Sequence, residues 1–209
     1  MLAIALVLPG VAARADAVVI AALGDSLTAG YGLPEAEGLV PQLQRWLDAA
    51  GVEATMLNAG VSGDTTAGGL ARLGWTLTPE VDALMVELGA NDMLRGLPPE
   101  AARANLNAIL TEAQNRGLPV LLVGIKAAGN YGPDYKAAFD AIYPDLARIH
   151  GAALVPSFFA PLEALDDGSR AVRARLLQAD GLHPTAEGVA AIVEALGPEV
   201  AALAERAAE

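Results

Sequence analysis

From residue 18 the chain alternates between short, continuously apolar runs and longer stretches in which apolar residues recur at helical spacing. The apolar runs at 18–23, 54–57, 83–88, 120–123 and 153–155 predict strands. The amphipathic stretches at 40–50, 67–73, 100–116, 135–150 and 186–208 predict helices between and after them. Gly51, Gly117 and Gly151 directly follow three of these, where a left-handed residue commonly ends a helix. Strands alternating with helices predict an α/β fold built on a parallel sheet. The unbroken apolar character of the strand runs predicts a sheet covered on both faces. No repeat, low-complexity linker or charge block interrupts the pattern, so one domain is expected over residues 17–209.

That architecture also says where to look for chemistry. Right-handed crossovers bring every strand's carboxyl end to one edge, and ligands in open α/β sheets bind outside that edge. Three polar clusters follow predicted strands: Gly24-Asp25-Ser26-Leu27, the segment NAGVSGDT at 58–65, and Gly89-Ala90-Asn91-Asp92. A fourth, Asp180-Gly181-Leu182-His183, precedes the last helix.

Composition narrows the chemistry further. The 209 residues are 54% hydrophobic, which excludes disorder for the body of the chain. There is no Cys, hence no disulfide, thiolate nucleophile or cysteine metal site. The net charge is -12 and the only lysines are Lys126 and Lys136, so no basic stripe exists to bind nucleic acid. The same acidity opposes docking on an anionic lipid surface and leaves small neutral or apolar substrates open. No P-loop or dinucleotide glycine pattern is present, and two distant histidines make no zinc site, so no cofactor or metal is expected.

The apolar run at 2–8, ending at Pro9-Gly10 and followed by Ala13-Arg14-Ala15, is too short to span a bilayer. It reads as a signal peptide over residues 1–15, cleaved after Ala15, although no Lys or Arg precedes Arg14 to form a basic start. The expectation is a periplasmic or secreted protein without stable membrane insertion, or a cytoplasmic one if the segment is not processed.

Nucleophilic catalysis needs a nucleophile, a base and an oxyanion stabiliser, and each class here is small enough to enumerate. Of four serines, Ser157 and Ser169 sit in turn or cap contexts, and Ser62 in Gly60-Val61-Ser62-Gly63-Asp64 misses the G-x-S-x-G elbow because position 64 is Asp. Ser26 directly follows a strongly apolar strand, which exposes its hydroxyl at the sheet edge, although Asp25 and Ser26 can equally form a turn or helix cap. Of two histidines, His150 ends a helix, where a positive ring suits the dipole. His183 precedes Pro184 at a loop-to-helix junction with Asp180 three residues back, either a catalytic pair or a surface Asp-His pair in a turn. Backbone N–H groups at Ser26 and Gly60 and the Asn91 side chain are candidate oxyanion donors, with turn and cap roles as the alternatives.

These blocks resemble the SGNH or GDSL hydrolase family, named for Ser, Gly, Asn and His in four separate segments. Ser26 falls in GDSL, Gly60 in NAGVSGD, Asn91 in GAND, and Asp180 with His183 in DGLH. LGDSLTAGYG, VELGANDMLRG, AAGNYGPDYKAAFDAIYP and the DGLHP block look like the bacterial type I thioesterase, lysophospholipase and arylesterase subgroup. Thr28 departs from it, standing where Ser is common. The resemblance implies a single three-layer α/β/α flavodoxin-like domain with a central parallel five-stranded sheet, and a cofactor-free serine acyl-enzyme mechanism on ester or thioester substrates. Carried over, Ser26 is the nucleophile, His183 the base, Asp180 its orienting carboxylate, and Ser26, Gly60 and Asn91 form the oxyanion hole. Asp25 and Asp64 are expected to be local hydrogen-bonding supports. Tyr31, Trp75, Leu77 and the loop near Asn130 and Tyr131 are candidates for the pocket wall, or for core and lid packing. Carbohydrate deacetylation, acyl transfer on the same fold, and a noncatalytic periplasmic binding module are the alternatives to ester hydrolysis. Oligomeric state is not legible.

Overall fold

The computed structural model describes residues 17–209, so the export segment expected over residues 1–15 lies outside the described residues. Five strands, β1 (Val18–Gly24), β2 (Ala54–Gly60), β3 (Ala83–Glu87), β4 (Val120–Val123) and β5 (Ala153–Val155), form one parallel sheet in the order β2-β1-β3-β4-β5. This is the flavodoxin-like order, in which chain direction across the sheet reverses between β1 and β3 and opens a crevice there. β1 leads into α1 (Ser26–Ala29) and α2 (Leu39–Ala50), β2 into α3 (Thr66–Ala71) and α4 (Leu73–Thr76). β3 leads into α5 (Ala90–Leu94) and α6 (Pro99–Asn115), β4 into α7 (Pro133–Asp140) and α8 (Ile142–His150). After β5 come α9 (Ala160–Leu165), α10 (Arg170–Leu176) and α11 (Ala186–Ala207).

Packing follows from the apolar stripes. α2 buries Leu39, Val40, Leu43 and Leu47, one face at helical spacing, and lies with α11 over one side of the sheet. α3, α6 and α8 pack in a row over the other. The central strands β1, β3 and β4 carry Ile20, Leu84, Met85, Leu121 and Leu122 with no exposed surface, each contributing roughly 1.5–3 kcal/mol of burial. The expectation of strands covered on both faces holds for these three. It fails at the edges: β2 alternates, with Ala54 and Met56 buried and Thr55 and Leu57 exposed, and β5 is only half-buried.

Other boundaries move for identifiable reasons. β2 runs on to Gly60 because Asn58, Ala59 and Gly60 pair with Ala22, Leu23 and Gly24, a backbone property with no apolar signature. The helix expected over 135–150 is two, meeting at Ala141. Pro144 has no N–H to offer the Asp140 carbonyl and its ring crowds it, which ends α7. The stretch expected at 67–73 likewise divides at Arg72. α1, α5, α9 and α10 are four to seven residues long, too short to show a helical period. Gly51, Gly117 and Gly151 all adopt the expected positive φ. Among the described residues no helix is long and apolar enough to cross a membrane, and no group of three His, Asp or Glu side chains is gathered for a metal.

For the site, the decisive feature is register. Gly24, the last residue of β1, lies opposite both Gly60 of β2 and Glu87 of β3. Three strands therefore end level, and the segments carrying Ser26, Gly60 and Asn91 leave the sheet side by side.

Candidate active site

Ser26 is the first residue of α1, one position after the Asp25 cap, whose Oδ1 accepts a hydrogen bond from the Leu27 N–H at 3.0 Å. The cap turns the chain abruptly off β1 and leaves the Ser26 side chain half-buried at the sheet edge. α1 lies directly on β2. A Cβ at Gly60 would collide with the Ala29 backbone, so this glycine is required by close packing of the Ser26 helix.

His183 reaches the same point from 157 residues away, its Nε2 lying 2.8 Å from Ser26 Oγ. Its Nδ1 lies 2.7 Å from Asp180 Oδ2. A carboxylate only accepts, so Nδ1 carries the proton and Nε2 presents a lone pair to the serine hydroxyl. Asp180 Oδ1 accepts from the Leu182 and His183 N–H groups at 2.9 and 3.1 Å. These backbone bonds, with the imidazole, hold the Asp180 carboxyl down at about 2, so it is ionised at neutral pH.

Gln178, which lies in none of the motifs, and Tyr31 of the first block fix this turn. Gln178 Nε2 donates to the carbonyl oxygens of Tyr31 and Pro184 at 2.8 and 2.9 Å, tying the histidine turn to the loop after α1. The Gln178 N–H also donates to the His183 carbonyl at 2.8 Å, closing the turn on itself. The Tyr31 ring lies against the His183 imidazole, centroids 4.6 Å apart. No residue pattern marks Gln178; its role follows from where the turn docks.

Beneath the serine lies a frame of buried polar groups. Asp25 Oδ2 accepts from Asn91 Nδ2 at 3.1 Å, which orients the Asn91 amide beside Ser26. Burial pushes the Asp25 carboxyl up to about 6, against the lowering effect of the Leu27 and Asn91 bonds. Glu87, with no exposed surface, accepts from Thr28 Oγ1 at 2.9 Å. Burial, then the nearby Asp25 charge, raises its pKa well above the usual carboxylate range. Its Oε1 has no hydrogen-bond partner, a situation far less costly for a neutral carboxyl than for a carboxylate. Arg72 binds Asp64 Oδ2 through Nε at 2.6 Å and the Ala59 and Gly24 carbonyls through its Nη atoms at 2.7 and 2.8 Å, lashing the ends of β2 and β1 together. Asp92 accepts from the N–H and hydroxyl of Thr66 at 2.8 and 2.7 Å, anchoring the β3 segment to α3. Asp25 and Asp64 are thus hydrogen-bonding supports.

A cavity of about 510 Å³ opens beside Ser26 and His183, with Leu27, Met93, Ile125, Ala127 and Phe159 among its walls. The Ile125–Ala127 wall is held by Asp140, which accepts from the Ala127 N–H, and by Lys136, which donates to the Ala127 carbonyl and pairs with Asp140 at 2.7 Å. Of the residues offered for the pocket wall or for core and lid packing, those named fall outside the wall, whereas Ala127 and Ala128 of the loop before Asn130 do line the cavity. Leu77 is a core residue and Trp75 is 87% exposed, and neither lines this cavity. Tyr131 packs on Tyr135 and donates to the Leu94 carbonyl, and Tyr31 serves the histidine.

The remaining candidates are elsewhere. Ser157 is buried after β5, Ser169 caps α10 by accepting from Val172 N–H, and Ser62 lies in the turn after β2. His150 ends α8 with its ring nitrogens on Gln114 and Asn107. The Gly60 N–H donates to the exposed Asn58 Oδ1 at 3.0 Å.

Residues 22–191 match the model of the GDSL-like Lipase/Acylhydrolase family. Esterase TesA of Pseudomonas aeruginosa is 40% identical over 186 residues, covering 88% of this chain and 89% of that protein. Thioesterase 1/protease 1/lysophospholipase L1 of Escherichia coli is 37% identical over 176 residues, covering 83% and 77%. Among solved structures, AlinE4, an SGNH-hydrolase family esterase, superposes with a TM-score of 0.73 at 46% identity, covering 91% of this chain and 98% of its own.

Gln178→Ala should lower kcat by about 10- to 100-fold with little change in KM, because a displaced imidazole loses its alignment while the cavity stays intact. Kinetics at a temperature well below unfolding check this. An unchanged kcat with a lowered Tm would make Gln178 a purely structural clamp.

Proposed function

The chain belongs to the GDSL-like lipase/acylhydrolase family and is a serine hydrolase of ester bonds, and from that premise we propose a role for each side chain at its site. Ser26 Oγ attacks the acyl carbonyl carbon as His183 Nε2 takes its proton, giving a tetrahedral oxyanion. The ion collapses to an acyl-Ser26 ester while His183 returns the proton to the departing alcohol or thiol. Water, deprotonated by His183, attacks the acyl-enzyme in the same manner and releases the acid. Asp180 holds the productive tautomer and stabilises the imidazolium. The single observation carrying this reading is the relay of 2.7 and 2.8 Å contacts from Asp180 through His183 to Ser26.

The oxyanion falls to the Ser26 and Gly60 N–H groups and Asn91 Nδ2. The Ser26 amide stands in the first turn of α1, where N–H groups have no intrahelical acceptor. Asn91 Nδ2 has a second hydrogen beyond the one given to Asp25. The Gly60 N–H is engaged by Asn58 Oδ1, so the Asn58 carboxamide must swing aside when substrate binds. Each such donor is worth about 10²–10³ in rate. The names of the relatives, an esterase and a thioesterase and lysophospholipase, support carboxylic esters and acyl thioesters as the substrate class, with medium-chain or aromatic acyl groups filling the apolar cavity.

Ser26→Ala and His183→Ala should each lower p-nitrophenyl ester turnover by at least about 10⁴-fold, and the double variant should fall no further, because the pair acts as a unit. Wild-type rates in Ser26→Ala would remove the assigned nucleophile. We also assign residues 1–15 as an export segment and 17–209 as the catalytic domain. N-terminal sequencing of enzyme recovered from outside the cytoplasm should begin at Asp16; an intact Met1 there would refute cleavage.

A further inference from the structure

Asp25 has no exposed surface and stands next to Ser26, yet no step of the reaction uses it. Both of its oxygens face N–H donors: Oδ1 accepts from the Leu27 N–H at 3.0 Å and Oδ2 from Asn91 Nδ2 at 3.1 Å. The two donors differ in freedom. The Leu27 amide is fixed in the first turn of α1, whereas the Asn91 carboxamide is half-buried on the wall of the catalytic cavity and turns about one side-chain bond. An ionised carboxylate only accepts, so it holds Asn91 with Nδ2 towards it. A proton on Oδ1 would oppose a donor that cannot move. A proton on Oδ2 opposes Nδ2, and there the carboxamide can give way by presenting its own oxygen instead.

The charged and titratable groups around Asp25 are Glu87 at the end of β3, Asp64 in the turn after β2, Arg72 between α3 and α4, Tyr143 of α8, and His183. Burial pushes the Asp25 carboxyl up to about 6 and Asp64 adds to the rise, against the Leu27 and Asn91 bonds and the His183 charge. Glu87, raised well above the usual carboxylate range by burial and then by the Asp25 charge, keeps its proton, so at neutral pH the pair carries one negative charge, on Asp25.

We propose that Asp25 is a positioning residue whose charge selects the face that Asn91 turns to the oxyanion, which builds an acid switch into the catalytic site. This rests on the reading of Ser26 as nucleophile and Asn91 as oxyanion donor. Ionised Asp25 leaves the second Nδ2 hydrogen for the oxyanion. Protonated Asp25 turns the carboxamide and sets its oxygen against the developing negative charge. Because the carboxyl is raised to about 6, the donor is in place above that pH and is lost as pH falls through it. Protonation of His183 is a separate loss: it stops proton transfer and leaves the Asn91 amide where it is.

The test compares wild type with Asn91→Ala on p-nitrophenyl butanoate from about pH 8 to about pH 5, because the ratio of their kcat/KM values cancels every titration that does not act through Asn91. Near pH 8 the ratio should be about 10²–10³, the worth of one oxyanion donor, and near pH 5 it should have shrunk about ten-fold. A ratio that stays constant overturns the proposal. Asp25→Asn gives a second arm: its carboxamide keeps an oxygen for the Leu27 N–H and sets an NH2 group against Asn91, imitating the protonated state at every pH. It should lower kcat by about 10²–10³ near pH 8 with little change in KM, and combining it with Asn91→Ala should cost no more than Asn91→Ala alone. A purely structural Asp25 would add its own cost in the double variant, and a wild-type kcat in Asp25→Asn would remove the switch; either result overturns the proposal. Should Asp25→Asn not fold, the pH dependence of the first ratio decides alone. A wild-type kcat/KM in Asn91→Ala refutes the oxyanion reading and this inference with it. A large loss that is the same at every pH refutes the inference alone.

Discussion

One hydrogen bond, 2.8 Å from His183 Nε2 to Ser26 Oγ, joins parts of the chain 157 residues apart, and the rest of the site is arranged so that it can form. Neither partner belongs to the sheet. Ser26 stands just beyond β1 because Asp25 caps α1, and His183 stands in a loop because Pro184 and the Thr185 cap delay the start of α11. What brings them together is the sheet's parallel winding, the Tyr31 ring against the imidazole, and the tether of Gln178, whose amide spans from Tyr31 to Pro184. The bonds on Asp180 are internal to the turn, so the account predicts that losing the Gln178 tether leaves them in place while the turn loses its bearing on the serine.

The polar frame beneath the serine has a stability cost that its geometry explains. Asp25, Thr28, Thr66, Glu87 and Asp92 are all buried, in a layer where apolar residues would pack without desolvation. Each is spent on a specific alignment: Asp25 on the α1 turn and the Asn91 amide, Glu87 on Thr28 within α1, Asp92 on the link between the β3 segment and α3. Arg72 does the same for the ends of β1 and β2. Donors that must meet a developing charge work best when already oriented, and a dry, bonded frame supplies that orientation.

The fold was legible in the chain because the central strands are buried on both faces and the long helices bury one stripe, both of which leave apolar periods. The residues proposed to react were legible because so few Ser and His exist, with Ser26 in a segment that follows a strand and His183 in one that opens the last helix. Other features depend on pairing and docking, which leave no period. The end of β2 is set by its partner strand, and the short α1, α5, α9 and α10 by caps and tertiary contacts. The break before Ile142 did have a local sign in Pro144. Gln178 and Arg72 were invisible because a polar side chain that bonds backbone carbonyls far away resembles any exposed one. Trp75 and Leu77 stayed open between wall and packing because large apolar residues near glycine-rich loops read alike whether they face solvent, core or ligand, and here they face the first two.

The central claim is that Ser26 alone is activated, by His183, for attack on an acyl carbon. Stoichiometric labelling of the intact protein with a fluorophosphonate, followed by peptide mapping, tests it without assuming any substrate. The account predicts one adduct per chain, on the peptide bearing Ser26, abolished when His183 is replaced. An adduct on Ser62, Ser157 or Ser169, or labelling of Ser26 that persists without the imidazole, would contradict it.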